Sequence, residues 1–228
     1  MSLCVKTGMS SEYAVAKKFA AADVVVLTGT QTVADLQQNV PQDCAAIISF
    51  GLCGGLAPEY DAGNAQCVVG QAFIYDRVVT PDAVYPCDAA WRQRLFAATK
   101  YFERGCWSSG AFNTANDEAQ RAALFAQSGC WIIDDETRAV AEFAAARAIA
   151  FIGLRVVSDG AEDNLPPAVI NALNPDGTDN LQAVIASVIA DPAQLPALVK
   201  TAQEFELSIA ELRTAAKAVG PMFQWTGG

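Results

Sequence analysis

The chain has 228 residues, 52 % of them hydrophobic, and a formal net charge of −10. This is enough apolar material for one large α/β domain, no stretch reaches the ~20 apolar residues of a membrane span, and the negative charge argues against a general affinity for nucleic acid. The absence of histidine excludes Ser-His-Asp and Cys-His catalysis, His-ligated metals and imidazole acid/base chemistry, leaving Asp, Glu, Lys, Tyr and Cys.

The opening MSLCVKTG lacks the long apolar core of a signal peptide. It reads as a first strand at 3–7, and a cytoplasmic protein is expected. A helix at 10–21 follows, with Ser10 or Ser11 as its cap. Next come a strand at 23–27, a helix at 32–38 and an apolar strand at 45–50. A strand at 66–75 belongs to a region, 68–84, that has the look of antiparallel pairing. Helices at 88–102 and 116–127 lead to a strand at 131–134, a helix at 136–147 and a strand at 151–157. Helices at 167–172, 179–189 and 192–219 should cover the sheet. The alternation predicts a three-layer α/β/α domain over 1–220 with a central mixed, largely parallel sheet. The tail, 221–228, is expected to be disordered or packed on a partner subunit. The seven cysteines are odd in number and form no C-x-x-C pair, so buried thiols are expected rather than a disulfide framework or a zinc site.

Three segments can carry chemistry. The first is SFGLCGGL at 49–56, read as a glycine-rich loop after the strand at 45–50, where backbone N–H groups can approach a ligand. A plain tight turn explains it equally well. The second is WIIDDET at 131–137, a short apolar strand running into carboxylates. Helix opening alone also accounts for it, since acids favour the first turn. The third is RVVSDGAE at 155–162, where Arg155 and Asp159 lie near a strand end. A structural Arg–Asp pair with Ser158 as a cap is the bland alternative. Glu136 and Asp159 are 23 residues apart, with a helix between them. Strand, helix, strand would set the two strand ends side by side in a parallel sheet, at the edge where α/β folds bind ligands.

These segments stand in the order found in the purine nucleoside phosphorylase and methylthioadenosine/adenosylhomocysteine nucleosidase superfamily. The chain resembles that superfamily through TGMSSE at 7–12, SFGLCGGLAP at 49–58 followed by Gly63, IDDETRAVA at 133–141 and LRVVSDGAEDNLPP at 154–167. The first of the long motifs and the LPP look most like the hopanoid-associated phosphorylases. The resemblance implies a phosphorylase/hydrolase-like fold and cleavage of an N-glycosidic bond. It casts Asp159 as the acid that protonates the leaving purine and Glu136 as the group holding the ribose hydroxyls. Gly54 and Gly55 would line the sugar or anion pocket, and Arg155 would stand near the nucleophile. Glu12 would orient or activate water, Ser158 would belong to the base-side segment, and Phe112 would stack on the base. No cofactor or metal is implied, and phosphate is an optional co-substrate. The expected partner is a small-molecule nucleoside, and a homo-oligomer, dimer or higher, is expected.

The chemistry agrees with these roles. Cleavage builds positive charge on the sugar and negative charge on the base, so a carboxylate suits the first and a protonated acid the second. Asp159 is then expected to hold a proton near neutrality while Glu136 stays ionised. Arg155 would oppose that if it touched Asp159, so it is expected to face the nucleophile. One position departs from the superfamily, which usually has Met-Glu in the ribose segment. Here Asp135 precedes Glu136, and a carboxylate cannot pack on a sugar face as a thioether does without a desolvation cost. Leu52 and Cys53 also stand where a hydroxyl would suit a phosphate, leaving Thr28, Gly29, Thr30 and Arg155 as anion contacts. Two further readings follow. One is a nucleoside-binding protein without turnover. The other is a metal-dependent phosphohydrolase using Asp134, Asp135 and Asp159.

Overall fold

The chain begins with β1 (Ser2–Lys6), α1 (Ser10–Phe19), β2 (Val25–Leu27) and α2 (Val33–Asn39). It continues with β3 (Cys44–Gly55), β4 (Ala72–Val79), β5 (Val84–Pro86), α3 (Ala89–Thr99) and β6 (Phe102–Trp107). After these come α4 (Glu118–Ser128), β7 (Ile132–Ile133), α5 (Thr137–Arg147) and β8 (Ala150–Asp159). The C-terminal part is α6 (Pro167–Ile170), α7 (Leu181–Ala190) and α8 (Leu195–Val219). The structure is a computed structural model and describes residues 2–58, 67–110 and 115–227.

The sheet is mixed, as expected. Its parallel pairs are β1–β2, β1–β3, β3–β8, β4–β6 and β6–β7, and its antiparallel pairs are β3–β7, β4–β5 and β4–β8. Five strands close a circuit: β3 pairs β8, β8 pairs β4, β4 pairs β6, β6 pairs β7, and β7 returns to β3. Helices α1, α3 and α8 pack together as one group, and α2 packs on α5 as another.

Two expectations about the centre of the sheet change. The glycine segment is not a loop: β3 runs on to Gly55 as a twelve-residue strand. The ends of β7 and β8 are not direct neighbours either. The end of β3 lies between them, with Gly54 in register with both Ile133 and Asp159. A Cβ at Gly54 would stand 3.0 Å from Ile133 Cγ2 and from Asp159 Oδ2, so a close approach of side chains accounts for this glycine.

Other boundaries move for local reasons. The helix expected over 88–102 ends at Thr99, where Lys100 takes a left-handed conformation (φ 63°) and its N–H returns to the Phe96 carbonyl. The chain then enters β6, a strand not anticipated. Its central Glu103 pairs with Arg92 at 3.0 Å, and Arg104 lies over the Trp131 ring at 4.2 Å. The strand expected from residue 66 begins at Ala72, after a turn at Gly70 with φ of 84°. Neither Ser10 nor Ser11 caps α1: Met9 is the N-cap, and the Glu12 carboxylate accepts from its backbone N–H.

All seven cysteines are free and buried. Residues 221–227 pack on the core of their own chain. Phe223 is fully buried against Phe50, edge to face at 5.2 Å. Trp225 packs on Trp91 at 5.0 Å, and the Trp91 indole N–H donates to the Phe223 carbonyl at 2.6 Å. The indole therefore brings large apolar area to the core and keeps its polar edge satisfied.

Candidate active site

One pocket gathers Glu12, Gly54, Asp135, Glu136, Arg155, Ser158 and Asp159 on its wall. Gly55 does not line it. A Cβ at Gly55 would meet the Ala161 N and Cys67 Sγ at 3.2 Å, so this glycine lets the chain after β8 close over the strand. Phe112 and Gly63 lie outside the described residues.

The pocket has two ends, each with its own counter-charge. At one end Asp159 closes β8. Its Oδ1 is 2.7 Å from the Ser158 hydroxyl, which is also 3.2 Å from the Cys53 carbonyl and donates to one of the two. Its Oδ2 accepts from Arg121 Nη2. Arg121 rises from α4 and is buried. Its Nη1 meets three backbone carbonyls, Gly55 at 3.2 Å, Asp159 at 3.3 Å and Gly160 at 2.6 Å. No sequence signal singled Arg121 out. Because arginine only donates, Asp159 Oδ2 acts as an acceptor here. A Cβ at Gly54 would stand 3.0 Å from that oxygen and 3.4 Å from Arg121 Nη1, so the glycine makes room for the pair.

At the other end Arg155 is buried among three carboxylates. Its Nε is 2.8 Å from Asp134 Oδ2, its Nη2 3.4 Å from Glu136 Oε2 and its Nη1 3.8 Å from Glu12 Oε1. Burial opposes its charge, but Asp134, Glu12 and Glu136 outweigh burial and hold the guanidinium protonated. Arg155 thus stands away from Asp159, as expected. Its Nη2 also donates to Ser49 Oγ at 2.8 Å, Ser49 lies 2.6 Å from Thr137 Oγ1, and Thr137 bonds Asp134 Oδ2. One direction of donation satisfies the set: Arg155 to Ser49, Ser49 to Thr137, Thr137 to Asp134.

Glu12 is held by three backbone N–H groups, from Leu52 at 2.6 Å, Gly8 at 2.7 Å and Met9 at 3.0 Å. A Cβ at Gly51 would lie 2.4 Å from its carboxyl carbon, so β3 is bare where Glu12 crosses it. Gly8 serves Glu136 in the same way, with a Cβ there only 2.1 Å from Glu136 Oε2.

Lys6, at the end of β1, is a buried cation. Its ammonium donates to the Thr7 carbonyl at 2.5 Å. Burial pulls it below the ordinary lysine range, and Glu136 works against that pull. The only sequence signal was a lysine in an otherwise apolar strand. The expectation of a fully ionised Glu136 also changes. Burial pushes Glu136 up to about 7, with Lys6 and Arg155 pulling the other way and Glu12 and Asp134 adding to the rise. Near neutrality Glu136 is therefore partly protonated.

Asp135 lies on the wall with its Oδ1 3.1 Å from the Ser109 hydroxyl. Asp134 and Asp159 each face a guanidinium, which leaves neither set out as a metal ligand. Among the described residues no group of three or more His, Cys, Asp or Glu side chains is arranged for a metal ion. Within the same residues no single helix is long and apolar enough to cross a membrane. The arrangement suits a ligand that becomes cationic at the Glu136 end and anionic at the Asp159 end.

The fold is similar to that of futalosine hydrolase from Helicobacter pylori, at a TM-score of 0.66 and 10 % identity over 97 % of each chain. It is similar as well to 5′-methylthioadenosine/S-adenosylhomocysteine nucleosidase from the same organism, solved with butyl-thio-DADMe-Immucillin-A (TM-score 0.64, 10 % identity, 96 % of each chain). The corresponding nucleosidase of Neisseria meningitidis, in complex with methylthio-immucillin-A, gives 0.65 at 12 % identity, covering 96 % of this chain and 98 % of that one. No curated protein sequence matches. The model of the phosphorylase superfamily matches residues 12–190, from the Glu12 carboxylate to the end of α7, and the chain therefore belongs to the phosphorylase superfamily.

Proposed function

We propose that this protein hydrolyses the N-glycosidic bond of a purine nucleoside or an adenosyl conjugate, with the base at Asp159 and the ribose at Glu136. The observation that carries this reading is the pair of pocket carboxylates with separate counter-charges, Arg121 at one and Arg155 at the other. As the C1′–N9 bond breaks, its electron pair goes to the base. A proton taken up from solvent reaches the purine through Asp159, and Arg121 stabilises the Asp159 carboxylate before and after that transfer. The sugar cation faces Glu136, and Glu12 orients the water whose oxygen bonds to C1′ and whose proton is released.

Hydrolysis is favoured over phosphorolysis by the state of the anion contacts. The Gly29 N–H is bonded to the Gly8 carbonyl at 2.9 Å and the Thr30 N–H to the Pro175 carbonyl at 2.7 Å. Arg155 is already matched by three carboxylates. The likeness to hopanoid-associated phosphorylases keeps a long apolar 5′ substituent in the reading.

The test is release of free base from a nucleoside panel, including 5′-alkylthio and long-chain 5′-substituted adenosines, with and without phosphate. Release indifferent to phosphate supports hydrolysis, and release that requires phosphate overturns it. Asp159→Asn should slow release by roughly 10²–10⁴; full activity in that variant would remove the assigned role. A second reading, binding without turnover, draws on Asp135 at the pocket wall. It predicts that adenosine raises the melting temperature while no product forms over hours.

A further inference from the structure

The Arg121–Asp159 contact is built from several directions. Asp159 and Gly160 lie where β8 ends. The Gly160 carbonyl accepts from Arg121, and the Gly160 N–H donates to Asp163 Oδ2 at 2.6 Å. Asp163 in turn pairs with Lys200, which also meets Glu204 at 3.2 Å on α8. The carboxylate backbone is thus pinned from α4 on one side and from α8 on the other. Both side chains stand at the pocket wall, Asp159 15 % exposed and Arg121 1 % exposed. Gly54 lacks the Cβ that would crowd Asp159 Oδ2.

We propose that Arg121 is the positioning residue of Asp159, fixing the carboxylate at the base end of the pocket and acting on the reaction through it. The proposal rests on the glycosidic-cleavage reading given above. Arg121 also joins the ends of β3 and β8 through the Gly55, Asp159 and Gly160 carbonyls, so the test must separate positioning from support of the fold.

The experiment is a double-mutant cycle of Arg121→Met and Asp159→Asn, read on kcat for adenosine and 5′-methylthioadenosine and on the affinity for free adenine by calorimetry. A misplacement of about 1 Å at a reacting group costs about 10²-fold in rate, and Arg121→Met should lower kcat by about that factor. In the Asp159→Asn background the same change should cost less than about 3-fold, since the residue it acts through is already disabled. Arg121→Lys should restore part of the loss, because its charge still reaches Asp159 while one ammonium cannot also meet three carbonyls. If Arg121→Met does not fold, as thermal melting would show, Arg121→Lys carries the cycle. Absence of turnover in the wild-type protein sinks the cleavage reading alone, because coupling of the two positions in adenine affinity still tests Arg121. Equal costs with and without Asp159, in both kcat and affinity, overturn the proposal. So does a wild-type protein that does not bind adenine.

Discussion

A methyl group at Gly8 should disable the site without disturbing its chemistry. A Cβ built there lies 2.1 Å from Glu136 Oε2, 2.2 Å from Oε1 and 2.4 Å from the carboxyl carbon. Ordinary van der Waals contact starts at 3.4 Å, so the carboxylate has to retreat by about 1.3 Å. The room for retreat is small. Glu136 is tied to Arg155 Nη2, and its backbone N–H is fixed to Asp134 Oδ1 at 2.9 Å. Overpacking of this kind costs about 1–3 kcal/mol of stability, and a displacement of about 1 Å at a reacting group costs about 10² in rate. Gly8→Ala is therefore expected to lower kcat/KM for base release by about two orders of magnitude while the protein still folds. The assay is steady-state release of adenine beside a melting curve. A control comes from Gly129→Ala, where no atom lies within 4 Å of the added Cβ; its φ of 63° adds local strain at the end of α4 and should cost stability but not rate. If Gly8→Ala is folded and cleaves at the wild-type rate, Glu136 is not the group that holds the sugar.

Two further expectations concern stability. Glu136 has a folded-state pKa raised to about 7 from an ordinary 4.5, chiefly by burial. A raised carboxyl stabilises the fold fully below its unfolded value, and that contribution is lost as pH rises through the folded value. Urea unfolding of the wild-type protein should therefore lose stability between about pH 4.5 and 7 relative to Glu136→Gln, by up to about 3 kcal/mol; parallel pH curves for the two proteins would contradict this. Deleting residues 221–228 removes the buried Phe223 and Trp225 rings. It should cost about 3 kcal/mol or more and lower the melting temperature, whereas an unchanged melting temperature would show that the tail adds nothing to the core.

The parts of the site that the sequence made legible are those carried by strand ends. An apolar strand that stops at a carboxylate is a local pattern, and Glu136, Asp159 and Arg155 all sit in such patterns. Arg121 could not be found this way. In EAQRAALFAQS it reads as one more polar residue on a surface helix, and its burial comes from carbonyls of β3 and β8 that are distant in sequence. β6 was hidden for a related reason. Phe-Glu-Arg-Gly-Cys-Trp carries two charges in its middle, yet its backbone fits between β4 and β7 because Glu103 and Arg104 find partners in Arg92 and the Trp131 ring. The glycines misled in the other direction. They suggested a loop that cradles a ligand, but Gly51 and Gly54 are strand positions emptied of side chain so that Glu12 and the Arg121–Asp159 pair can approach.

The charges at the ribose end bear on how the site would work. Glu12, Asp134 and Glu136 face Lys6 and Arg155 there. With Glu136 protonated, two carboxylates meet two cations and the end is neutral. With Glu136 ionised it carries one excess negative charge, directed at the place where the sugar cation would form. The base end, with Arg121 against Asp159, is balanced. Under the proposed cleavage, the form that would best stabilise the transition state is the one that burial of Glu136 disfavours, and the proton that steadies the fold would have to leave before cleavage is fast. Lys6 and Arg155 oppose the rise at Glu136 and so keep the ionised form within reach near neutrality. That gives a physical reason for a lysine at the end of an otherwise apolar strand.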